Sequence, residues 1–484
     1  MKSLLSVLVL LAVAASGAAG PAASAQTAPV WERPALGPAP TFRAPQVQRH
    51  ELSNGLPVLF VAKPGVPLAQ VNLLVKTGSA DDGERDGLAS LAADMMDEGA
   101  GGLSALELAD AVDFLGIGLS TGAGLHSVQV QLHTPVSKLD DALALMADVA
   151  LRPAFPAPDL ERVRTSRLTS LSQRGDQPRA VAAVALARAL YGADHPYGRL
   201  GTGEPATVRA ITRQDLADFH DRAVRPTNAA LVVVGALDWG EVQPRLEAAF
   251  GADAWPSRPA PDHAALAEPA QVGPTRVLLV DKPGAAQSVV RVARIGAARS
   301  TPDFYALEVL NTVLGGSFTS RLNQNLRERN GYSYGASSGF SFRPVAGPFT
   351  ASSDVQTDVT APALTEFFRE LTAISEPVPD AELAKARDFL ALSFPSPFAT
   401  VRGTAAMVGD LWLDGLPADT YDRYSAGVRA VTAGDLARVA RQYVVPDEMV
   451  VVVVGDRATV EDDVRALDLG PVEVVSVEDV LGGE

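Results

Sequence analysis

One stretch of this chain occurs twice, about 220 residues apart, and the repeat limits what the chain can fold into. Val61-Ala62-Lys63-Pro64-Gly65 returns as Val280-Asp281-Lys282-Pro283-Gly284, an offset of 219 residues. Farther on, Ile211, Asp215-Leu216, Pro226 and Leu231-Val232-Val233-Val234-Gly235 return as Val431, Asp435-Leu436, Pro446 and Val451-Val452-Val453-Val454-Gly455, now at an offset of 220. A single period of this length is too long for a stacked solenoid and suits a duplicated domain. Two similar halves that face each other enclose a chamber, so the question is what each half contributes to it.

Met1-Lys2, the apolar run Leu4 to Ala15 and the small residues Ala23-Ser24-Ala25 before Gln26 form the three parts of a secretory signal. Cleavage is expected near Ala25/Gln26, and the mature chain is expected in the periplasm. A membrane anchor needs about 20 apolar residues; this core is shorter and Gly17, Gly20 and Pro21 follow it, so no membrane span is expected. The 484 residues include no cysteine, which excludes disulfides, thiolate ligands and a thiol nucleophile. With 57 acidic and 41 basic residues the net charge is −16. That argues against nucleic acid, whose phosphates require a positive surface; an acidic chamber favours basic or unfolded peptides, and the charge also serves solubility.

The pattern divides the chain into a signal (1–25), an extended Pro- and Ala-rich arm (26–45), a first domain (46–250), a Pro/Ala-rich linker (251–273), a second domain (274–470) and an acidic tail (471–484) expected to be solvated. Asn54-Gly55 predicts a tight turn between strands. Leu88, Leu91, Ala92 and Met95 fall at helical spacing and Gly99 ends the pattern. Ser104 with Glu107 predicts a capped helix to Phe114. His126 to His133 alternates with period two, a strand with one buried and one wet face. Further helices are expected at Val136 to Val149, Asp159 to Gln173, Val181 to Leu190 and Thr212 to Val224, before a closing strand Ala229 to Val234. The fold class is therefore α+β: two homologous halves, each with helices packed on a largely antiparallel sheet, joined by a linker into a clamshell.

Ordered landmarks run from about residue 45 to 460: Leu52-Ser53-Asn54-Gly55-Leu56, Gly78-Ser79, Gly87-Leu88-Ala89, His195-Pro196-Tyr197-Gly198, Arg225-Pro226-Thr227-Asn228, and Leu314-Gly315-Gly316-Ser317-Phe318-Thr319-Ser320-Arg321-Leu322. This set resembles the insulinase and mitochondrial processing peptidase family of zinc peptidases, whose inverted motif His-x-x-Glu-His sits on a helix. In active relatives that motif follows a Gly-Leu-Ala like Gly87-Leu88-Ala89. Here its five places hold Ser90, Leu91, Ala92, Ala93 and Asp94. The resemblance places the third ligand, a glutamate, shortly before Asp176-Gln177-Pro178, where Thr169 and Ser170 stand.

A catalytic zinc needs about three nitrogen or oxygen ligands and a base for its water. Asp94 alone offers one carboxylate. His126 and His133 are seven apart on a strand and project from opposite faces; His50, His195, His220 and His263 have no partner at i, i+4. No zinc or other cofactor is expected on this chain. The second half resembles the family differently: an arginine and a tyrosine that bind the peptide and polarise its carbonyl in relatives carry over as Arg327 and Tyr334, in Leu326-Arg327-Glu328-Arg329-Asn330-Gly331-Tyr332-Ser333-Tyr334. A guanidinium suits carbonyl or carboxylate oxygens, and a phenol can donate to an oxyanion. Ser320 to Arg329 reads as a helix capped by Gly331, with Tyr332 and Tyr334 on one face of the next strand.

The resemblance implies a degenerate member of the family: a non-catalytic subunit of a periplasmic heterodimeric zinc endopeptidase, inactive alone, lending Arg327 and Tyr334 to a zinc-bearing homologous partner that acts on peptides or unfolded protein. A peptide-binding or assembly scaffold without proteolysis is the alternative reading, and an autonomous metallopeptidase built around Asp94 is a third.

Overall fold

The computed structural model describes residues 42–482. The signal segment and most of the arm fall outside the described residues. Two six-stranded mixed sheets organise the rest. In the first, the strands run in the order Gln48–Glu51, Pro57–Ala62, Ala229–Gly235, Leu68–Val75, Val128–Pro135, Gly118–Ala123, and only the pairing of Pro57–Ala62 with Ala229–Gly235 is parallel. The second sheet repeats that order with Val472–Ser476, Arg276–Asp281, Val450–Gly455, Gln287–Ile295, Pro348–Gln356 and Ser333–Phe340. The duplication read from the sequence is thus a duplication of architecture, and each half is α+β as expected.

The local signals fold for the reasons that predicted them. Gly55 takes φ 84°, a conformation open to glycine, and the buried Asn54 fixes the turn by donating from Nδ2 to the carbonyls of Phe250 and Trp255, both at 2.8 Å. Ser104 and Glu107 form a reciprocal capping box on the helix Ala105–Leu115. Thr212 with Asp215 and Thr432 with Asp435 cap equivalent helices in the two halves.

The closing strands Ala229–Gly235 and Val450–Gly455 are buried at every position, which requires cover on both faces. In the first sheet Val58, Phe60, Val71, Leu73, Leu231 and Val233 pack on that half's own helices. Their neighbours Leu59, Val61, Leu74, Val232 and Val234 point the other way and pack on Val401, Ala405 and Val408 of the helix Val401–Leu413, which belongs to the second half. The second sheet mirrors this: Val280, Val289, Val450, Val452 and Val454 are covered by Val181, Val184 and Ala185 of the first half's helix Pro178–Tyr191. Each half roofs the other.

The repeated Lys-Pro-Gly finds its reason here. Lys63 donates from Nζ to the carbonyl of Phe398 at 2.7 Å and Lys282 to that of Gly175 at 2.9 Å. Both carbonyls lie in the short turns that lead into the exchanged helices. Clefts of about 490 and 650 Å³ beside the two lysines are the seams of this clasp.

Two segments differ from the sequence reading. The acidic tail is not a solvated end: Val472–Ser476 is the edge strand of the second sheet, parallel to Arg276–Asp281, and Val477–Leu481 is a helix whose Val480 is buried against the Pro178–Tyr191 helix. The edge that Gln48–Glu51 covers in the first sheet is open in the second, and an open edge with valines at hand is filled. The Pro-rich connection has no regular secondary structure over residues 256–274 but is pinned along its path. His263 contacts Asp81 Oδ1 through Nδ1 at 2.9 Å and Asn228 Oδ1 through Nε2 at 3.1 Å, and Thr227 Oγ1 donates to the Arg258 carbonyl at 2.6 Å.

Because neither sheet is covered by its own half alone, thermal unfolding is expected as one transition rather than two. Val408→Ala, on the second half's helix, is expected to destabilise the whole chain by about 2 kcal/mol. Fragments cut within the linker are expected to aggregate when expressed singly and to co-purify when expressed together, checked by size-exclusion chromatography.

Candidate functional site

The helix Leu88–Met96 begins at Gly87, whose φ is 95° and whose missing Cβ would lie 2.8 Å from the Gly203 backbone. Two glycines in contact bring the Thr202 carbonyl to the helix. Asp82 caps the same end, accepting from the backbone N–H of Gly87 and of Ala89, both at 2.8 Å. Seven of the nine helix residues are buried, and the two that are not are Ser90 and Asp94. Those are the positions where the resemblance puts histidines. Ala93, at the glutamate position, is fully buried in the first core.

What faces Ser90 and Asp94 is a cation supplied by the chain. Arg167, on the helix Ala157–Ser172, donates from Nη2 to Ser90 Oγ at 3.0 Å and forms an ion pair with Asp94; its Nη1 donates to the Thr202 carbonyl at 2.9 Å. Its side chain is 11% exposed. Beside it, Arg162 pairs with Glu98 just past that helix's end, so guanidinium and carboxylate lace the motif segment to the Ala157–Ser172 helix at two levels. These groups line a polar cleft of about 440 Å³ with Asp97 and Ser170. Burial, with Glu98 and Asp94 nearby, pushes the Asp97 carboxyl above the usual range. Ser170 Oγ donates to the Ser166 carbonyl of its own helix at 3.0 Å, which keeps it along the helix rather than across the cleft.

These residues do not fit a zinc ion. No group of three or more His, Asp or Glu side chains converges among the described residues, and the one carboxylate at the motif is neutralised by Arg167. All six histidines have partners elsewhere: His126 with the Tyr197 hydroxyl at 2.9 Å, His133 with Gln70 Oε1 at 3.0 Å, His220 with the Ala150 carbonyl at 2.8 Å, His195 with the Ala267 carbonyl at 3.1 Å, His263 in the linker anchor, and His50 stacked on Trp239 at 3.7 Å.

In the second half, a single α turn at Arg321–Asn323 runs into a π-helical stretch, Gln324–Arg329, that carries Arg327. A π-helix spends one extra residue per turn, and such insertions recur at functional sites. The stretch is held from beneath: the buried Asn325 donates to Glu366 at 2.7 Å and to Glu370 at 2.6 Å, and its Oδ1 accepts from Asn330 at 2.6 Å. Gly331 closes it with φ 66°. Arg327 is left with its neighbour Glu328 at 3.3 Å and with the face of Phe318, 4.7 Å from the ring centre; Phe318 is itself 64% exposed.

Tyr334 is 91% exposed. It does not share a face with Tyr332, contrary to the sequence reading. The register shifts between Ser333 and Ala336, a bulge fixed by Asn323 Oδ1, which accepts from the Ala336 amide at 3.1 Å. The bulge turns Tyr334 to solvent, whereas Tyr332 precedes the strand and packs on the second core. Arg327 and Tyr334 share no hydrogen bond or ion pair with Ser90, Asp94 or Ser170 among the described residues. Arg167 escaped the sequence reading altogether; the available signal was Arg164 and Arg167 three apart on a helix with few apolar positions.

The pH response of the first helix follows from Asp82. Burial outweighs the two amide hydrogen bonds and raises its carboxyl from 3.8 to about 7. An acid whose folded pKa lies above its unfolded one binds more protons when folded, so stability falls as pH rises from about 4 through about 7. Asp410, pushed up by burial to about 6, acts with the same sign. Asp82→Asn is therefore expected to flatten, though not abolish, the decline of Tm between about pH 5 and 8.

Residues 57–200 match the family model of the insulinases, peptidase family M16, and residues 210–390 match that of the peptidase M16 inactive domain. The chain is 31% identical over 293 residues to an uncharacterized zinc protease of Mycobacterium leprae, spanning 60% of this chain and 65% of that protein. It is 30% identical over 302 residues to one of Mycobacterium tuberculosis, spanning 62% of this chain and 68% of that protein. The structure is similar to the crystal structure of a peptidase M16 inactive domain from Pseudomonas fluorescens at 27% identity and a TM-score of 0.78, over 84% of this chain and 98% of that one. With the duplicated fold and the displaced zinc motif, these likenesses show that the chain belongs to the insulinase-like peptidases of family M16, as an inactive-type member related to its zinc proteases.

Proposed function

We propose that this chain is the non-catalytic subunit of a periplasmic two-subunit zinc endopeptidase. A homologous partner supplies the zinc, and this chain supplies Arg327 and Tyr334 to the peptide substrate. The observation that carries the reading is an asymmetry between the halves. At the motif, Ser90 and Asp94 are both engaged by Arg167, and Ser170 bonds its own helix. Around Arg327 and Tyr334, a buried asparagine network and a bulge hold the backbone, Arg327 pairs only with its exposed neighbours Glu328 and Phe318, and Tyr334 is turned to solvent. A chain selected only for folding has no use for a bulge that delivers a tyrosine to water.

In this mechanism the chain's own residues bind and orient. The Arg327 guanidinium, over the ring of Phe318, presents its remaining donors to a backbone carbonyl or terminal carboxylate. The Tyr334 hydroxyl donates to the oxygen that gains charge when the carbonyl is attacked. A zinc held by the partner would supply the activated water for hydrolysis.

The purified chain is expected to cleave no peptide and to raise the activity of a zinc-bearing homologous subunit when the two are mixed. Arg327→Ala and Tyr334→Phe are each expected to lower kcat/KM of the mixture by about 100-fold with the circular dichroism spectrum unchanged. Unaltered activity in both variants rejects the assignment; a stable complex without proteolysis supports instead a scaffold that only holds peptide or partner.

A further inference from the structure

We infer that Arg167 is a built-in substitute for the divalent ion: a fixed cation that ties the Leu88–Met96 helix to the Ala157–Ser172 helix and keeps metal out of the site. Ser90 and Asp94 are one turn apart on the same helix face, and a single guanidinium spans both while its other end donates to the Thr202 carbonyl. Three chain segments that share no secondary structure meet on this one group. A planar fork with five donors makes such a bridge, whereas an ammonium acts as a point charge. Arg167 lies three residues before Ser170, so it rises from the same helix face that carries the third motif position.

The consequence concerns charge. The Arg167 side chain is only 11% exposed, and a resident guanidinium repels a dication at contact range. It also occupies the carboxylate that a metal would need. The missing ligands and the resident arginine are therefore two separate barriers, and supplying the ligands removes only one. The proposal stands apart from the subunit assignment, because it concerns this chain alone and its readouts need neither partner nor peptidase activity.

Two measurements on the full chain test it. In the first, Ser90→His, Ala93→Glu, Asp94→His and Ser170→Glu are introduced together, with Arg167 kept or replaced by Gln, and zinc binding is measured by calorimetry and metal analysis. The graft with Arg167→Gln is expected to bind one zinc at least about tenfold more tightly than the graft that keeps the arginine. Equal affinity, or no binding by either, overturns the proposal. In the second, Arg167→Gln, Asp94→Asn and the double variant are compared with the parent by thermal unfolding, with and without chelator. Each single change is expected to lower Tm by about 3 °C or more, the double no further than the worse single, and chelator to change nothing. Additive losses, or a Tm that drops on chelation, overturn it; if the grafts do not fold, this cycle decides alone.

Discussion

The structure depends on the mutual roofing of its sheets. A strand such as Val450–Gly455, six residues with no polar side chain, is insoluble on either face unless both are covered. The chain meets this demand reciprocally, with Pro178–Tyr191 across the second sheet and Val401–Leu413 across the first. Once that exchange is made, the relation between the halves is set by core packing rather than by the linker. The linker is then free to be proline-rich and irregular, and its anchors at His263 and Thr227 only keep it close to the surface. The frame also fixes where the two candidate regions stand: the motif helix packs on the first sheet's covered face, and the π-helical stretch adjoins the outermost strand of the second.

Set on this common frame, the halves have diverged in how they use polar groups. Around the motif helix, charges are paired inward: Arg167 with Asp94, Arg162 with Glu98, and Arg164 with the carbonyls that end the helix Pro205–Ala210. Inward pairing stiffens the region and leaves little for a ligand. In the second half, the buried amides Asn323 and Asn325 spend their hydrogen bonds on backbone and on Glu366 and Glu370, so Arg327 and Tyr334 need spend none of theirs. The first arrangement replaces a metal's cross-link; the second resembles the support that a binding residue needs.

Much of the fold was legible because its signals are local. Turn chemistry at Asn54-Gly55, the Ser104 and Thr212 caps, and the alternation of Val128 to His133 each act within a few residues, and the structure realises them within a residue or two. The missed features are those in which distant parts settle a local choice. The tail from Val472 reads as acidic and soluble until the open edge beside Arg276–Asp281 is known. Periodicity cannot tell an α from a π turn, so the extra residue under Arg327 was invisible. At the motif, the sequence shows which ligands are absent, but only three dimensions show that an arginine from a helix some 70 residues away lies against it. The five consecutive valines from 450 to 454 did hold a clue: a sheet wetted on one side has no use for them.

The exchanged helices also bear on descent. A single ancestral half, about 220 residues long, would have carried one greasy sheet surface with nothing of its own to lay over it. Such a polypeptide prospers only beside a twin, each lending the other a helix, as a symmetric dimer. Two such halves joined in one chain hold that partnership permanently and leave either half at liberty to change alone. One half's pocket now holds an arginine across its motif helix, an asymmetry between the halves that a pair of identical chains forbids.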